Sequence, residues 1–239
     1  MNKALHAWLA LCAALLLMMT SMPALGADAL TQGLVQVGSI TGNCRRPESA
    51  DASQVSFSVA YSYPQFAAQF PADEAINRYY RQLAENVTAD GWEGDTGITC
   101  EVTHSSERYV SVLETATVQG GNGESQTLRS DTFARDGIYA GQKIGLSQLL
   151  GLEEQSALAG TLAYELVWQM VAHEAQNADS DYLDGLTREQ VEHSFQPETD
   201  YYLDADGNIV FWIASGEIAG EVAGILRFPF APAELLSAF

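Results

Sequence analysis

Asp204, Asp206 and Asn208 stand at alternate positions in the run DADGNIVFW, the spacing with which an oxygen-lined calcium loop opens. A loop of the EF-hand type also needs Gly at its sixth position and a bidentate Glu at its twelfth. Counted from Asp204, those positions hold Ile209 and Ser215. The same letters suit a hairpin turn, because Asp206-Gly207-Asn208 tolerates the positive φ that a tight connection between strands demands. The hairpin is the expected reading. A second oxygen-rich run, NADSDYLD, offers Asn177, Asp179, Asp181 and Asp184, but it puts Tyr182 where Gly is wanted and Arg188 at the twelfth place. It reads as a solvated linker between helices, open to adventitious calcium. Neither run implies a resident metal or cofactor.

Nucleophiles and bases are no better marked. His173-Glu174 lacks the second His, four residues on, that a zinc-protease helix requires. His104 and His193 are far apart in sequence. No Ser sits between glycines as in a nucleophile elbow, and the Gly-rich turn GGNGES is not followed by the Lys-Ser or Lys-Thr of a phosphate loop. Two carboxylates can always meet in a chain with 31 acidic residues, yet the sequence singles out no pair. The expectation is a protein that is not an enzyme. An uncharacterised envelope hydrolase built on a carboxylate pair is the alternative from a different class.

The chain opens MNKALHAWLALCAALLLMMTSMPALGADAL, with Lys3 before an apolar run and Ala24-Leu25-Gly26 after it. That order is the order of a secretory signal peptide, residues 1–26, cleaved after Gly26 or Ala27. Residues 4–27 carry no Asp, Glu, Lys or Arg, so the same stretch is also long enough to stay as a membrane anchor. Either way the remainder is expected to be extracytoplasmic, secreted or held at the outer face of the cytoplasmic membrane, with membrane contact only through an uncleaved N-terminal segment. Once Cys12 leaves with the signal, Cys44 and Cys100 remain. An even pair in an oxidising compartment suggests a Cys44–Cys100 disulfide, which would contribute about 4 kcal/mol in the chain-entropy model.

Thirty-one acidic against eleven basic residues give a formal net charge of -20. Such a field repels nucleic acid and anionic lipid and accelerates encounter with a basic protein. It also keeps a secreted protein soluble, with no partner implied.

The positioning elements are read from period. Residues 27–52 look like a poorly structured leader. QVSFSVAYSYPQF alternates as a strand does and stops at Pro64. FPADEAINRYYRQLAENVTADGW follows as an amphipathic helix, with Asp73 and Glu74 at its positive end and Ile76, Tyr80, Leu83 and Val87 on one stripe. GITCEVTHSSERYVSVLETATVQ supplies two strands, and TLRSDTFARDGIYAGQKIGLSQLLG a strand, a turn, a short strand and a helical turn. A long helix is predicted over 153–176, with Leu158, Leu162, Leu166 and Met170 at steps of four. Thr187-x-x-Gln190 has the capping-box form. TDYYLDADGNIVFWI is strand, turn, strand, with Tyr201, Tyr202, Phe211 and Trp212 on both faces; FPFAPAELLSAF closes the chain with a strand and a helical turn. The order indicates an α+β fold: a mainly antiparallel sheet with packed helices, in two closely associated subdomains, 53–130 and 131–239.

The C-terminal run, with Tyr202-Leu203, Gly207, Ile209 to Ile213, Glu217-Ile218-Ala219, Ala223-Gly224 and Glu234-Leu235, resembles the extracytoplasmic domain of the RsiV-type, lysozyme-sensing anti-sigma factors. SVAYSYPQF with AINRYY looks like the companion domain that often precedes it and is also found attached to cell-wall polysaccharide deacetylases. What the resemblance implies is an α+β binding domain that recognises lysozyme at the cell envelope. It places the partner contact at Trp212, Ser215, Gly216, Glu217, Gly220 and Glu221. The family's loop carries Pro-Tyr on each side of Glu-Ile-Ala, whereas here Ser215-Gly216 precede and Gly220-Glu221 follow. Only a few residues precede the apolar run, so no sigma factor is expected as a partner. An accessory domain that binds cell-wall glycan is the alternative binding role.

Overall fold

Alternating apolar residues in Ile98, Cys100 and Val102, and again in Val110, Val112 and Ala116, commit two neighbouring segments to strands with one inward face. The computed structural model describes residues 34–44, 55–86, 94–120, 123–177 and 180–237, and the expected signal segment lies outside them. Strands β1 (Leu34–Cys44), β2 (Val55–Pro64), β3 (Asp95–Ser105), β4 (Tyr109–Gly120) and β5 (Gly123–Ala134) form one sheet in that order. β2 and β3 are parallel, because helix α1 (Asp73–Asn86) carries the chain back between them; the other pairs are antiparallel. Ile76, Tyr80 and Ala84 of α1 are buried in one core with Val59, Tyr61, Ile98, Cys100, Val102, Val110, Val112, Ala116 and Phe133.

The second half is built on a three-stranded antiparallel sheet, β6 (Tyr201–Leu203), β7 (Ile209–Ile213) and β8 (Leu226–Phe230). Ile209, Phe211, Ile213, Phe228 and Phe230 share a face and a core with Leu162, Ala163, Val167 and Val171 of α3 (Ser156–Glu174). The short helices α2 (Leu146–Leu149), α4 (Arg188–His193) and α5 (Pro232–Ser237) pack around that core. The opposite face, with Tyr202 and Val210 buried and Trp212 half-buried, lies against Leu113 and Leu128 on the far side of the first sheet. Hydrogen bonds stitch the two together. The Leu203 N–H donates to Ser111 Oγ at 3.0 Å, and Tyr201 Oη donates to the Ile144 carbonyl at 2.9 Å. The fold is therefore α+β, and both faces of the aromatic hairpin are covered.

Several local readings are realised in detail. Thr187 accepts the Gln190 N–H while the Gln190 side chain accepts the Thr187 N–H, the reciprocal pattern of a capping box. The predicted long helix starts as a single 3-10 turn (Glu153–Gln155) before α3, and its buried stripe centres on Ala159, Ala163, Val167 and Val171, with Leu158, Leu166 and Met170 on the flanks.

Two expectations are corrected. The leader is not unstructured throughout, because Leu34–Cys44 form β1 against β2. Its alternation is broken by two glycines and by a register shift between Val37 and Ile40, and a broken period hides a strand from sequence reading. The expected Cys44–Cys100 disulfide is not formed: Cys100 is a buried free thiol. Cys44 is level with Val55, whereas Cys100 lies two residues beyond Ile98, which is level with Tyr61. The strand from Val55 to Tyr61 alone spans about 20 Å, against the roughly 7 Å a disulfide allows between Cα atoms.

Candidate binding surface

Sequence and topology bring two acidic segments to one corner. Residues 174–187 and 213–226 contain no Lys or Arg, and their described carboxylates are Glu174, Asp181, Asp184, Glu217 and Glu221. Backbone pairing ties them: Tyr182 bridges Ala219, the Leu183 N–H donates to the Ile218 carbonyl at 3.0 Å, and the Gly220 N–H donates to the Asp181 carbonyl at 3.0 Å. Ile218 is the apolar peg of this corner, fully buried in the core that α3 also lines. Gly216, at φ 83°, makes the turn before it. Ser215 Oγ donates to the Glu221 carbonyl at 3.1 Å, which closes the loop across its neck.

Five of the six residues expected at the partner contact sit together here, with Ser215, Gly216, Glu217, Gly220 and Glu221 all exposed. Trp212 is placed elsewhere. Its Nε1–H donates to Ser130 Oγ at 3.1 Å, and Ser130 Oγ in turn donates to the Thr199 carbonyl at 3.0 Å, so the indole is a tie between the two sheets. Glu217-Ile218-Ala219 is thus a mixed element, with Glu217 facing solvent and its two neighbours buried.

The opening DADGN segment is a hairpin turn between β6 and β7, with Gly207 at φ 82°. Asp204 Oδ1 accepts the N–H groups of Asp206 and Asn208, each at 2.9 Å, and Oδ2 accepts from Asn208 Nδ2 at 3.0 Å. Its carboxylate is thereby engaged by the turn it shapes. His104 Nδ1 lies 2.9 Å from the Asp204 carbonyl and fastens the turn to β3. Burial pushes the His104 imidazolium pKa down, against the pull of that carbonyl.

One polar cluster escaped sequence reading. On the face of the first sheet beneath α1, Arg129 Nη2 lies 2.9 Å from Glu114 and 3.4 Å from Asp131, and Lys143 Nζ lies 2.5 Å from Asp131 Oδ1. That last contact falls outside hydrogen-bond geometry, so Asp131 Oδ1 is held by the ion pair alone; Arg129 Nε is buried with no acceptor. Tyr61 Oη donates to Glu114 at 2.8 Å, and Tyr79 and Tyr80 donate to Asp131. Burial first, then the neighbouring negative charges, push the Tyr79 phenol up to about 12 and the Cys100 thiol up to about 12, and drive Tyr61 higher still. These phenols and the thiol stay protonated at neutral pH, so they donate hydrogen bonds and do not act as bases. Two cations facing two carboxylates make a balanced strut between strands. The available signal was charge at inward positions: Glu114, Arg129 and Asp131 share a face with Val112, Ala116 and Phe133.

Fold and surface together define an α+β protein that presents an acidic, backbone-tethered corner. No protein-family model matches the chain, and no curated protein matches it. Among solved structures, it is similar to a member of the DUF3298 family from Bacteroides fragilis, with a TM-score of 0.46 and 10% identity over 87% of this chain and 93% of that one. It is also similar to a DUF3298 family protein from Pseudomonas aeruginosa, with a TM-score of 0.46 and 12% identity over 85% of this chain and 92% of that one.

Proposed function

We propose that this chain is an extracytoplasmic, non-enzymatic binding module of the cell envelope that captures a basic protein such as a lysozyme-type muramidase. The observation that carries the reading is the corner itself, where Glu174, Asp181, Asp184, Glu217 and Glu221 converge on two tethered segments without a single Lys or Arg. A surface rich in carboxylates attracts a cationic protein over a distance of about 10 Å at ordinary salt. The signal-like N-terminus, which would place the module outside the cytoplasm, supports the same reading, and so does the sequence resemblance to the lysozyme-sensing domains.

Calorimetric titration of the chain lacking its first 26 residues with lysozyme, at low and at moderate salt, tests the proposal. Saturable binding at a fixed ratio that survives added salt supports capture. Weak attraction that vanishes with salt reduces it to contact between unlike charges. Absence of binding, together with retention on purified peptidoglycan, replaces it with glycan recognition.

A further inference from the structure

Two side chains at the acidic corner break the rule that its surface is polar. Val222 is 102% exposed and Leu183 is 43% exposed, in a chain where Ile138 and Leu236 are the only other exposed large apolar residues described. Single apolar residues on a surface need no explanation, but these two belong to segments joined by the Leu183 N–H to Ile218 carbonyl bond and the Gly220 N–H to Asp181 carbonyl bond. The backbone at Val222 is shaped by local hydrogen bonds. It sits in a 3-10 turn (Glu221–Ala223) in which the Ala223 N–H donates to the Gly220 carbonyl at 2.9 Å and the Gly224 N–H to the Glu221 carbonyl at 3.1 Å, while Ser215 Oγ braces Glu221 from across the loop. A β-branched aliphatic side chain on a hydrogen-bonded turn has less ordering entropy to lose on docking than a long flexible one.

We infer that Val222 and Leu183 are the apolar anchors of the contact and that the occupant is a basic protein whose cationic surface surrounds an apolar cleft. The inference rests on the reading of the corner as a basic-protein surface and names the part of the contact that salt does not screen. Glu217 and Glu221 precede Val222 in the loop, and Asp181 and Asp184 flank Leu183. The carboxylates steer the encounter and set its salt dependence; the anchors set how long the complex lasts.

The test is titration of the chain lacking its first 26 residues with lysozyme at moderate salt, using V222S and the double variant V222S/L183S, with polylysine as a cationic probe that offers no cleft. Val222 touches too little to support the fold, so V222S keeps the melting temperature of the parent. The expected result is about a tenfold weaker affinity for lysozyme in V222S, from the transfer of one buried Val, a larger loss in the double variant, and unchanged binding to polylysine. E217Q/E221Q, in contrast, flattens the salt dependence and leaves the salt-resistant part in place. If V222S and the double variant bind lysozyme as the parent does, the anchors are refuted while capture of a basic protein stands. If the parent itself does not bind lysozyme, the reading of the corner is refuted and the anchors fall with it.

Discussion

Ile218→Ala tests how the acidic loop is held. The Ile218 side chain is fully buried in the core to which β7 and α3 contribute, while Glu217 before it and Gly220 after it are exposed, so Ile218 is the large side chain that pins the loop to the core. Truncation to Ala removes three buried carbons, about 2.4 kcal/mol at about 0.8 kcal/mol each. The cavity adds to this because the Ala219–Tyr182 bridge and the Leu183 N–H bond to Ile218 hold the backbone and oppose collapse. The expected loss is about 3–4 kcal/mol, within the roughly 2–5 kcal/mol seen for such truncations. Ile218→Val, which keeps most of the volume, loses about 1 kcal/mol. Urea denaturation at fixed pH, followed by tryptophan fluorescence, measures both. Hydrogen exchange should localise part of the effect, with faster exchange at the amides of 217–224 than at those of β7. A loss below about 1 kcal/mol for Ile218→Ala, with exchange in the loop unchanged, would show that the tether lies elsewhere.

Arg135→Met should cost about 3–5 kcal/mol, because it strands the buried Asp73 carboxylate 2.9 Å away and breaks the donor bonds to Ser105 Oγ and the Ser106 carbonyl; adding Asp73→Asn should recover part of that in a urea melt, and no recovery would argue that packing on Phe66 and Phe70 dominates. Burial lowers the pKa of His104 in the folded state below its ordinary 6.5, so the unfolded chain takes up that proton first as pH falls. The stability it contributes is present above about pH 6.5 and is lost below it; His104→Gln should remove that component of a thermal-melt series from pH 7.5 to 5, and an unaltered slope would count against it. Asp204→Ala should cost about 1 kcal/mol by removing the acceptor of the Asp206 and Asn208 N–H groups at a turn open to water. Neither calcium nor a chelator should move the parent's melting temperature, and a calcium-dependent shift abolished by Asp204→Ala would instead make the turn a metal site.

Features set by neighbours along the chain were legible in the sequence. The DADGN turn needs only Gly207 and an acceptor two and four residues from the amides it serves, and the Thr187–Gln190 box closes within one helical turn. The alternation of β2, β3 and β4 marks their inward faces whatever lies opposite. The α+β class followed from that order of strands and helices. β1 was hidden because its bulge and glycines break the period, and Trp212 was misplaced because the sequence cannot say which sheet covers the second face of β7.

What the sequence determined by itself, then, was most of the strand and helix identities, the Thr187 cap, the DADGN turn and a strongly acidic charge. The tertiary structure alone decided which distant residues meet. Ser111 receives the Leu203 N–H across 92 residues, and Trp212 finds Ser130 across 82. Register kept Cys44 and Cys100 apart although compartment and count favoured their pairing. It also brought residues 181–183 beside 218–220, turning two unremarkable acidic loops into one corner with Val222 at its tip. The physical reason is that local propensity acts over a few residues, whereas burial is decided by whichever surface arrives from elsewhere in the chain.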